Sequence, residues 1–424
     1  MNTGAGNAGA GSEDKGQVTG PVKVDIDALV IGGGIAGLWT LARLQRSGYK
    51  SVLLESQKLG AGQTRYAQGI IHGGTKYALT GKLTASSEAV ADMPARWRAC
   101  YEGEGELDLT QAKLLSDAHY LWSTTSLTSR ISGFFASKVM RSRSSELDKE
   151  SLPSLFRHKD FKGQIYRLDE PVFDTLSVIR AIAEPCKESI LPIDQSSIQH
   201  LDHQLSVRSQ QGKDYLFHYK KIIFIAGEGN EFLLSRFGYD QPEMQLRPLK
   251  MVVMRGGPDK PLAHMVFAHC LGASVNPRIT ITSHRDLQGN IVWYMGGQLA
   301  EEGVGKTDED LIATAKKEIN ELIPWLDIKH AQWGVLQINR AEIKKPGTTR
   351  PDSFSIEKHD DVITAWPTKL ALAPALADAL LAIIDEDRLV PDTDLSLPVW
   401  QAAEFARFPW DEDACWYPAS GSDD

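Results

Sequence analysis

The sequence predicts an α/β fold: a Rossmann-like unit with a parallel sheet, joined to a second domain built mainly from a mixed β-sheet. Two observations carry this. A short apolar run at 27–31 leads into Gly32-Gly33-Gly34-Ile35-Ala36-Gly37, then into a stretch with helical spacing and a second apolar run, 51–55. Between 245 and 333, three stretches rich in β-branched residues follow one another at 249–254, 278–282 and 291–295, as strands of a second sheet would.

In chain order, residues 27–31 have strand length and the turn after them fits GxGxxG. Gly32 permits the tight turn, Gly34 lets backbone approach a pyrophosphate, and Gly37 allows close helix–strand packing. Ile35 and Ala36 open a helix over 35–47 that places Leu38, Leu41 and Leu44 towards one side, and Gly48 ends it. The free N–H groups and positive dipole of that helix start suit phosphates. Residues 51–55 form the next strand. It ends in Glu55, 23 positions after Gly32, where a carboxylate accepts ribose hydroxyls. Strand, helix, strand and acid in this register specify a dinucleotide site. The run 59–74, which holds Gln63, Thr64, Gln68, Gly69 and His72, is dense in small and polar residues. Such a run can wrap an extended diphosphate and reach a flavin ring, whereas a nicotinamide-binding unit would continue into its next helix. The cofactor expected is FAD. A single GxGxxG leaves no separate NAD(P)H domain, so the substrate itself should be the reductant.

On these residues the chain resembles the D-amino-acid-oxidase-like (DAO) superfamily of FAD-dependent oxidoreductases. Gln63-Thr64 followed by 69–77 is most similar to its L-2-hydroxyglutarate and FAD-linked glycerol-3-phosphate dehydrogenase branches. The resemblance covers about 22–390. It implies a glutathione-reductase-type FAD domain with a β-sheet-rich substrate (cap) domain over the flavin. It implies that Ser56 and the main chain at Ile198 help hold the adenosine, and that 222–227 is the strand whose Ala226-Gly227 end closes on FAD. The closing order also matches: Arg340 on a strand, a Pro351-Asp352 turn, a strand, a flavin-edge loop with Thr368, Lys369 and Leu370, and a last helix over 370–384. Relatives usually carry glycines at that loop, where this chain has Trp366-Pro367-Thr368-Lys369.

Four residues are candidates for the chemistry. His72 can act as a base or hydrogen-bond donor beside the flavin, or serve as a structural histidine satisfying loop backbone. Lys76 can bind a substrate carboxylate or phosphate, or be a solvated lysine; glycerol-3-phosphate dehydrogenases usually carry Arg there. Arg340 matches the arginine with which relatives such as glycine oxidase clamp a carboxylate bidentately; the other reading is an ion pair on a strand joining domains. Lys250, in Arg247-Pro248-Leu249-Lys250, lies where hydroxyglutarate relatives bring a cation towards the flavin to favour oxygen activation, or is an ordinary strand lysine.

The 424 residues divide into an expected tail at 1–21 without large apolar residues, an FAD domain from 22–110, 146–245 and 334–390, a cap from 111–145 and 246–333, and an extension at 391–424. Residues 112–115 are expected as a cap strand and 311–323 as an amphipathic helix. The net charge of −9 argues against duplex nucleic acid as a partner and leaves small anionic substrates open. Hydrophobic residues at 42% and charged residues at 24% describe an ordinary soluble protein. Four cysteines without a CxxC pair argue against a disulfide framework or zinc site and for a reducing, cytoplasmic setting. No metal site is expected, and His264, His269 and His284 are scattered in the sequence. No run is long and apolar enough to span a membrane. Lys138, Arg141 and Arg143 form either a solvated loop or a peripheral contact with anionic lipid. The expected activity is oxidation of a CH–OH or CH–NH carbon of a small anionic substrate by hydride transfer to flavin N5, with O2 or a quinone as acceptor. The alternatives are a flavin amine oxidase acting on an amino acid or larger modified substrate, and a redox-silent FAD-binding module.

Overall fold

A parallel sheet buried on both faces needs strands that are apolar at successive positions, and 28–31 and 52–54 meet this demand. In the computed structural model, which describes residues 20–74, 90–124, 144–271, 277–345, 351, 353–386, 397–412 and 415–417, strand Val22–Ile31 lies between Ser51–Glu55 and Asp214–Phe224, parallel to both. Ile190–Leu201 continues the sheet beyond Ser51–Glu55, and Val362–Trp366 continues it beyond Asp214–Phe224. Ser355–His359 closes the edge antiparallel, and Gln204–Ser209 joins Ile190–Leu201 to Asp214–Phe224 as an antiparallel meander. Side chains alternate faces along each strand. Ala28 and Val30 therefore pack under helices Ile35–Arg46, Thr175–Cys186 and Ala373–Glu386. Leu29 and Ile31 pack against the meander and helix Asn230–Arg236.

The helix ends follow local chemistry. Gly48, at φ +87°, stops the first helix. The Asp174 carboxylate accepts from the Ser177 amide at 2.9 Å, an N-cap for Thr175–Cys186. Ala373–Glu386 is preceded by a 3-10 turn, Leu370–Leu372.

The second sheet has eight strands, in the order Gln332–Ile343, Met244–Arg255, Ile291–Gly296, Ile279–Arg285, Phe267–Cys270, His119–Trp122, Ile165–Leu168 and Ser144–Glu146. The three strands expected at 249–254, 278–282 and 291–295 are all present and all run longer, the second starting at Ile279. One face of the sheet carries Val252, Met254 and Trp293 against helix Asp308–Leu322. The other carries Met251, Val253, Tyr294 and Ile338, with Leu176, Phe408 and Trp410 packed on it.

Three placements differ from the sequence analysis. Residues 112–115 do not form a strand of this sheet; Leu114–Ser116 pairs instead with Val172–Phe173 in a two-stranded ribbon. Ile165–Leu168 and Gln332–Ile343 belong to the second sheet, although 146–245 was assigned wholly to the first domain and the boundary after the second insertion was put at 333. The reason is pairing: Gln332–Ile343 bonds along the whole of Met244–Arg255, and Ile165–Leu168 bonds His119–Trp122. The tail before residue 20, Lys76, Asp352, and the basic residues Lys138, Arg141 and Arg143 lie outside the described residues.

Residues 397–412 and 415–417 reach both sheets. Phe405 bridges Leu59, and Trp416 bridges Gly334. All four cysteines are buried and free. Among the described residues, no helix is long and apolar enough to cross a membrane, and no cluster of His, Cys, Asp or Glu could hold a metal ion.

Candidate active site

A cavity of about 890 Å³ opens where the carboxyl ends of the parallel strands meet the second sheet, the usual ligand crevice of open α/β sheets. Its floor is the glycine turn. Gly32 has φ +125°, and a Cβ there would lie 2.7 Å from both Ala226 Cα and the Ile225 carbonyl oxygen. Gly37 is off the cavity wall: its Cβ would lie 1.8 Å from the Gly32 oxygen, so it serves helix–strand packing. At Gly34 the nearest protein atom to such a Cβ is Thr64 Oγ1, at 3.2 Å. Gly34 is the N-cap and brings no capping side chain of its own to the helix start. Ile35 and Ala36 line the cavity beside it, and the Ile35 amide donates to Thr64 Oγ1 at 3.1 Å.

Glu55 also lines the cavity. Its Oε2 accepts from the Gly33 amide and its Oε1 from the Gln57 amide. Burial pushes the Glu55 carboxyl up against the downward pull of the Gln57, Gly33 and Ser56 amides. Ser56 and Ile198 continue this wall. The Ala226 amide donates to Asn230 Oδ1 at 2.8 Å, and Asn230 Nδ2 donates to the Ala365 carbonyl at 3.0 Å. The Ala226–Gly227 turn is thereby tied to the neighbouring strand. Gly227, at φ +61°, sits against Gln63. Gly69, at φ +77°, would place a Cβ 2.0 Å from the Phe173 oxygen. Gln68 Nε2 donates to the Tyr294 carbonyl at 3.1 Å, joining this loop to the second sheet. On the closing loop, Thr368, Lys369 and Leu370 line the cavity. Thr368 adopts φ +57°, with Oγ1 donating to the Ser353 carbonyl at 3.1 Å. A β-branched residue thus takes the left-handed conformation that glycine adopts without strain.

The second sheet supplies the rest of the wall. Arg340 lines the cavity from strand Gln332–Ile343, and Thr280 and His269 line it from strands Ile279–Arg285 and Phe267–Cys270, further along the same sheet. His72 reaches the cavity from the loop after Gly69. Its Nδ1 lies 3.2 Å from Oε2 of Glu170, whose Oε1 accepts from the Gly73 amide at 2.9 Å. Glu170 is only 2% exposed. Burial works to raise its pKa, but the hydrogen bond and charge of His72, the His119 charge and the Gly73 amide together hold the carboxyl below the usual range. His269 stacks on His72, with ring centroids 5.7 Å apart and planes 15° apart, and meets His119 edge-on at 4.1 Å. His269 Nδ1 is 2.7 Å from Thr280 Oγ1.

A family model described as FAD dependent oxidoreductase (DAO) matches residues 27–365. The chain belongs to this family. The FAD-dependent oxidoreductase is 45% identical over 392 residues to a probable FAD-dependent oxidoreductase of Pseudomonas aeruginosa, covering 92% of this chain and 99% of that protein. The crystal structure of that protein superposes with a TM-score of 0.78 at 40% identity, over 92% of this chain and 98% of that one. Glycine oxidase from Geobacillus kaustophilus shares the fold at 13% identity and a TM-score of 0.61, over 88% and 98% of the two chains. The L-alpha-glycerophosphate oxidase from Mycoplasma pneumoniae with FAD bound shares it at 16% and 0.58, over 91% and 97%. FAD is the cofactor of this oxidoreductase. The residues present fit it: a cradle that admits no Cβ at Gly32, a helix start whose N-cap is a glycine, a carboxylate at Glu55, and a cavity within the roughly 300–1,000 Å³ of ligand clefts.

The structure gathers His72 and Arg340 with the cofactor residues and does not gather Lys250. Leu249 and Met251 line the cavity, so Lys250 between them faces the other side of the sheet. Its Nζ donates to Asp308 Oδ1 and to the Lys306 carbonyl, both at 2.7 Å. Glu170, His119, His269 and Thr280 were not singled out for the site by sequence reasoning. His284 is buried in the same sheet, its pKa pushed down to about 3 by burial, and His264 Nδ1 pairs with Ser154 Oγ at 2.9 Å.

Proposed function

We propose that this oxidoreductase oxidises a CH–OH or CH–NH carbon of a small anionic substrate, and that Arg340 binds the anion. The observation that carries this reading is the position of Arg340, on a strand of the second sheet and on the wall of the cavity that holds the glycine cradle. Bound FAD supplies the two-electron acceptor, taking the substrate C–H as hydride at N5. Everything else falls to the chain. A carboxylate or phosphate entering this cavity loses water, at a cost that only a cation or several donors offset, and a guanidinium meets a planar oxyanion with two parallel bonds. Ile338, two residues before Arg340, and Leu249, paired opposite Ile338, offer apolar surface to the carbon skeleton. His72 lies on the same wall, where a base can take the hydroxyl or amine proton. The names of two structural relatives, glycine oxidase and L-alpha-glycerophosphate oxidase, specify substrates that carry an acidic group. The proposed reoxidant is O2 or a quinone. Glu228 and Glu301 also line the cavity. They favour a second reading, an amine oxidase whose substrate brings an ammonium as well as an anion.

An anaerobic panel of hydroxy acids, amino acids and phosphate esters, scored by bleaching of the flavin band, identifies the substrate. With that substrate, Arg340→Leu should keep its flavin and lose roughly 10²-fold or more in kcat/KM, as expected when one member of a buried charge pair worth ~3–5 kcal/mol is removed. Arg340→Lys should recover part of this loss. Full activity in Arg340→Leu would overturn the anion-binding role; bleaching by NADH alone would overturn substrate as the reductant.

A further inference from the structure

Behind His72 sits a buried carboxylate that does not itself line the cavity. Glu170 follows strand Ile165–Leu168, is 2% exposed, and divides its two oxygens between the His72 ring and the Gly73 amide. We infer that Glu170 is a positioning residue which fixes His72 as the Nδ1–H tautomer and so makes Nε2 the proton acceptor on the cavity side. This inference rests on His72 acting as the base in the proposed reaction.

The geometry supports it in three steps. An ionised carboxylate only accepts hydrogen bonds, so the His72 nitrogen 3.2 Å from Oε2 must carry the hydrogen. In a neutral imidazole the other nitrogen then holds the lone pair. That nitrogen, Nε2, lies across the ring from the carboxylate, and His72 lines the cavity. The ring cannot turn freely, because His269 stacks on its face and the Gly73 amide holds the carboxylate from the adjoining residue. Glu170 is also held below the usual carboxylate range, so it is an acceptor throughout the neutral region. Among the described residues, the titratable groups near this pair are His269, from strand Phe267–Cys270, stacked on His72, and His119, from strand His119–Trp122, edge-on to His269. The His72 and His119 charges both act on the Glu170 carboxylate.

In the proposed reaction bound FAD would take up the hydride of the substrate C–H, and the O–H or N–H proton passes to His72 Nε2, leaving a carbonyl or imine. His72 becomes an imidazolium, and the Glu170 carboxylate neutralises it in place without accepting a proton. The arrangement is that of an acid-oriented histidine base, in which replacing the acid by its amide inverts the tautomer.

The test is Glu170→Gln, which keeps the shape and the acceptor for Gly73 while presenting N–H to His72 Nδ1. In the oxidised, substrate-free holoenzyme, nitrogen NMR of labelled histidine should show His72 as Nδ1–H in the wild type and Nε2–H in Glu170→Gln. The midpoint of the His72 titration should fall in the variant, because the charge that holds the imidazolium has gone. With the substrate from the bleaching panel, Glu170→Gln should lower kcat roughly 10²-fold or more at equal flavin content. His72→Gln should do the same, and the double variant should be no worse than either. Glu170→Asp, which keeps the charge, should recover part of the rate. A wild-type His72 in the Nε2–H form, or a Glu170→Gln enzyme with unchanged kcat and pH profile, overturns the inference. The NMR result needs no substrate and no variant, so it stands if Glu170→Gln misfolds or the panel yields nothing. Loss of activity in Arg340→Leu with an Nε2–H His72 would leave the anion site intact and remove only this dyad.

Discussion

Gly34 and Gly37 stand one helical turn apart, and a methyl added to each meets different things. At Gly37 it lands 1.8 Å from the Gly32 oxygen, whereas at Gly34 only Thr64 Oγ1 lies within 4 Å, at 3.2 Å. Gly37→Ala should therefore cost stability on the order of 3 kcal/mol through overpacking, visible as a lower melting temperature even without flavin. Gly34→Ala should leave the flavin-free protein melting nearly as before and weaken FAD roughly tenfold or more, about 1.4 kcal/mol, measured by titrating FAD into apoprotein. Equal melting losses in both variants would contradict the distinction. The glycine turn, the helix start and Glu55, which meet at the cavity, were legible in the sequence because they are set by spacing within one βαβ unit. Glu170 was not legible. It meets His72 from 98 residues away, and no local pattern marks a buried acid that serves a histidine in another loop. Thr368, at φ +57°, shows the converse: the loop does close at the cavity, but with a residue whose conformation its type would not suggest.

At the scale of single elements, strand parity decides which side chains can reach the cavity. Strand Met244–Arg255 was legible by its β-branched run, but which face Lys250 takes depends on its pairing with Gln337, and pairing is not visible in one segment. On the outer face, Lys250 ties the sheet to the start of helix Asp308–Leu322, where Asp308 also accepts from the Tyr417 hydroxyl. The hydrogen bonds from Lys250 and then Tyr417 hold the Asp308 carboxyl below its usual range. Lys250→Met should keep flavin content and kcat, and lower stability by about 1–2 kcal/mol, measured by denaturant unfolding. A carboxyl with a depressed pKa stabilises the fold above its unfolded value, and that contribution disappears as pH falls through the folded value. The gap between wild type and Lys250→Met should accordingly be full near neutrality and shrink in acid. A large fall in kcat with stability unchanged would return Lys250 to the chemistry. Element types were legible throughout the parallel sheet, whereas the membership of Ile165–Leu168 and Gln332–Ile343 was not, because hydrogen-bond partners rather than composition assign a strand to a sheet.

Across the whole molecule, residues 397–412 and 415–417 hold the two sheets together. Leu59 exchanges backbone bonds with Glu404 and Ala406, and Arg65 pairs with Glu412 at 2.7 Å, 347 residues away in sequence. Trp410 is 1% exposed, with Phe408 stacked at 4.5 Å and His284 at 4.6 Å. It packs on the second sheet without lining the cavity. Trp410→Ala should cost about 3–5 kcal/mol, read as a fall in melting temperature, with flavin stoichiometry unchanged well below the transition; flavin loss from a protein of normal stability would contradict this. The cavity itself draws its wall from Ile31 through Leu370, so no fragment of the growing chain contains it. FAD then meets only the finished fold, and a ligand that binds the folded state alone raises stability by RT ln(1 + [L]/Kd). The steady level of this enzyme in a cell should accordingly track vitamin supply: when riboflavin is scarce, newly made chains lack that increment and proteolysis removes them first.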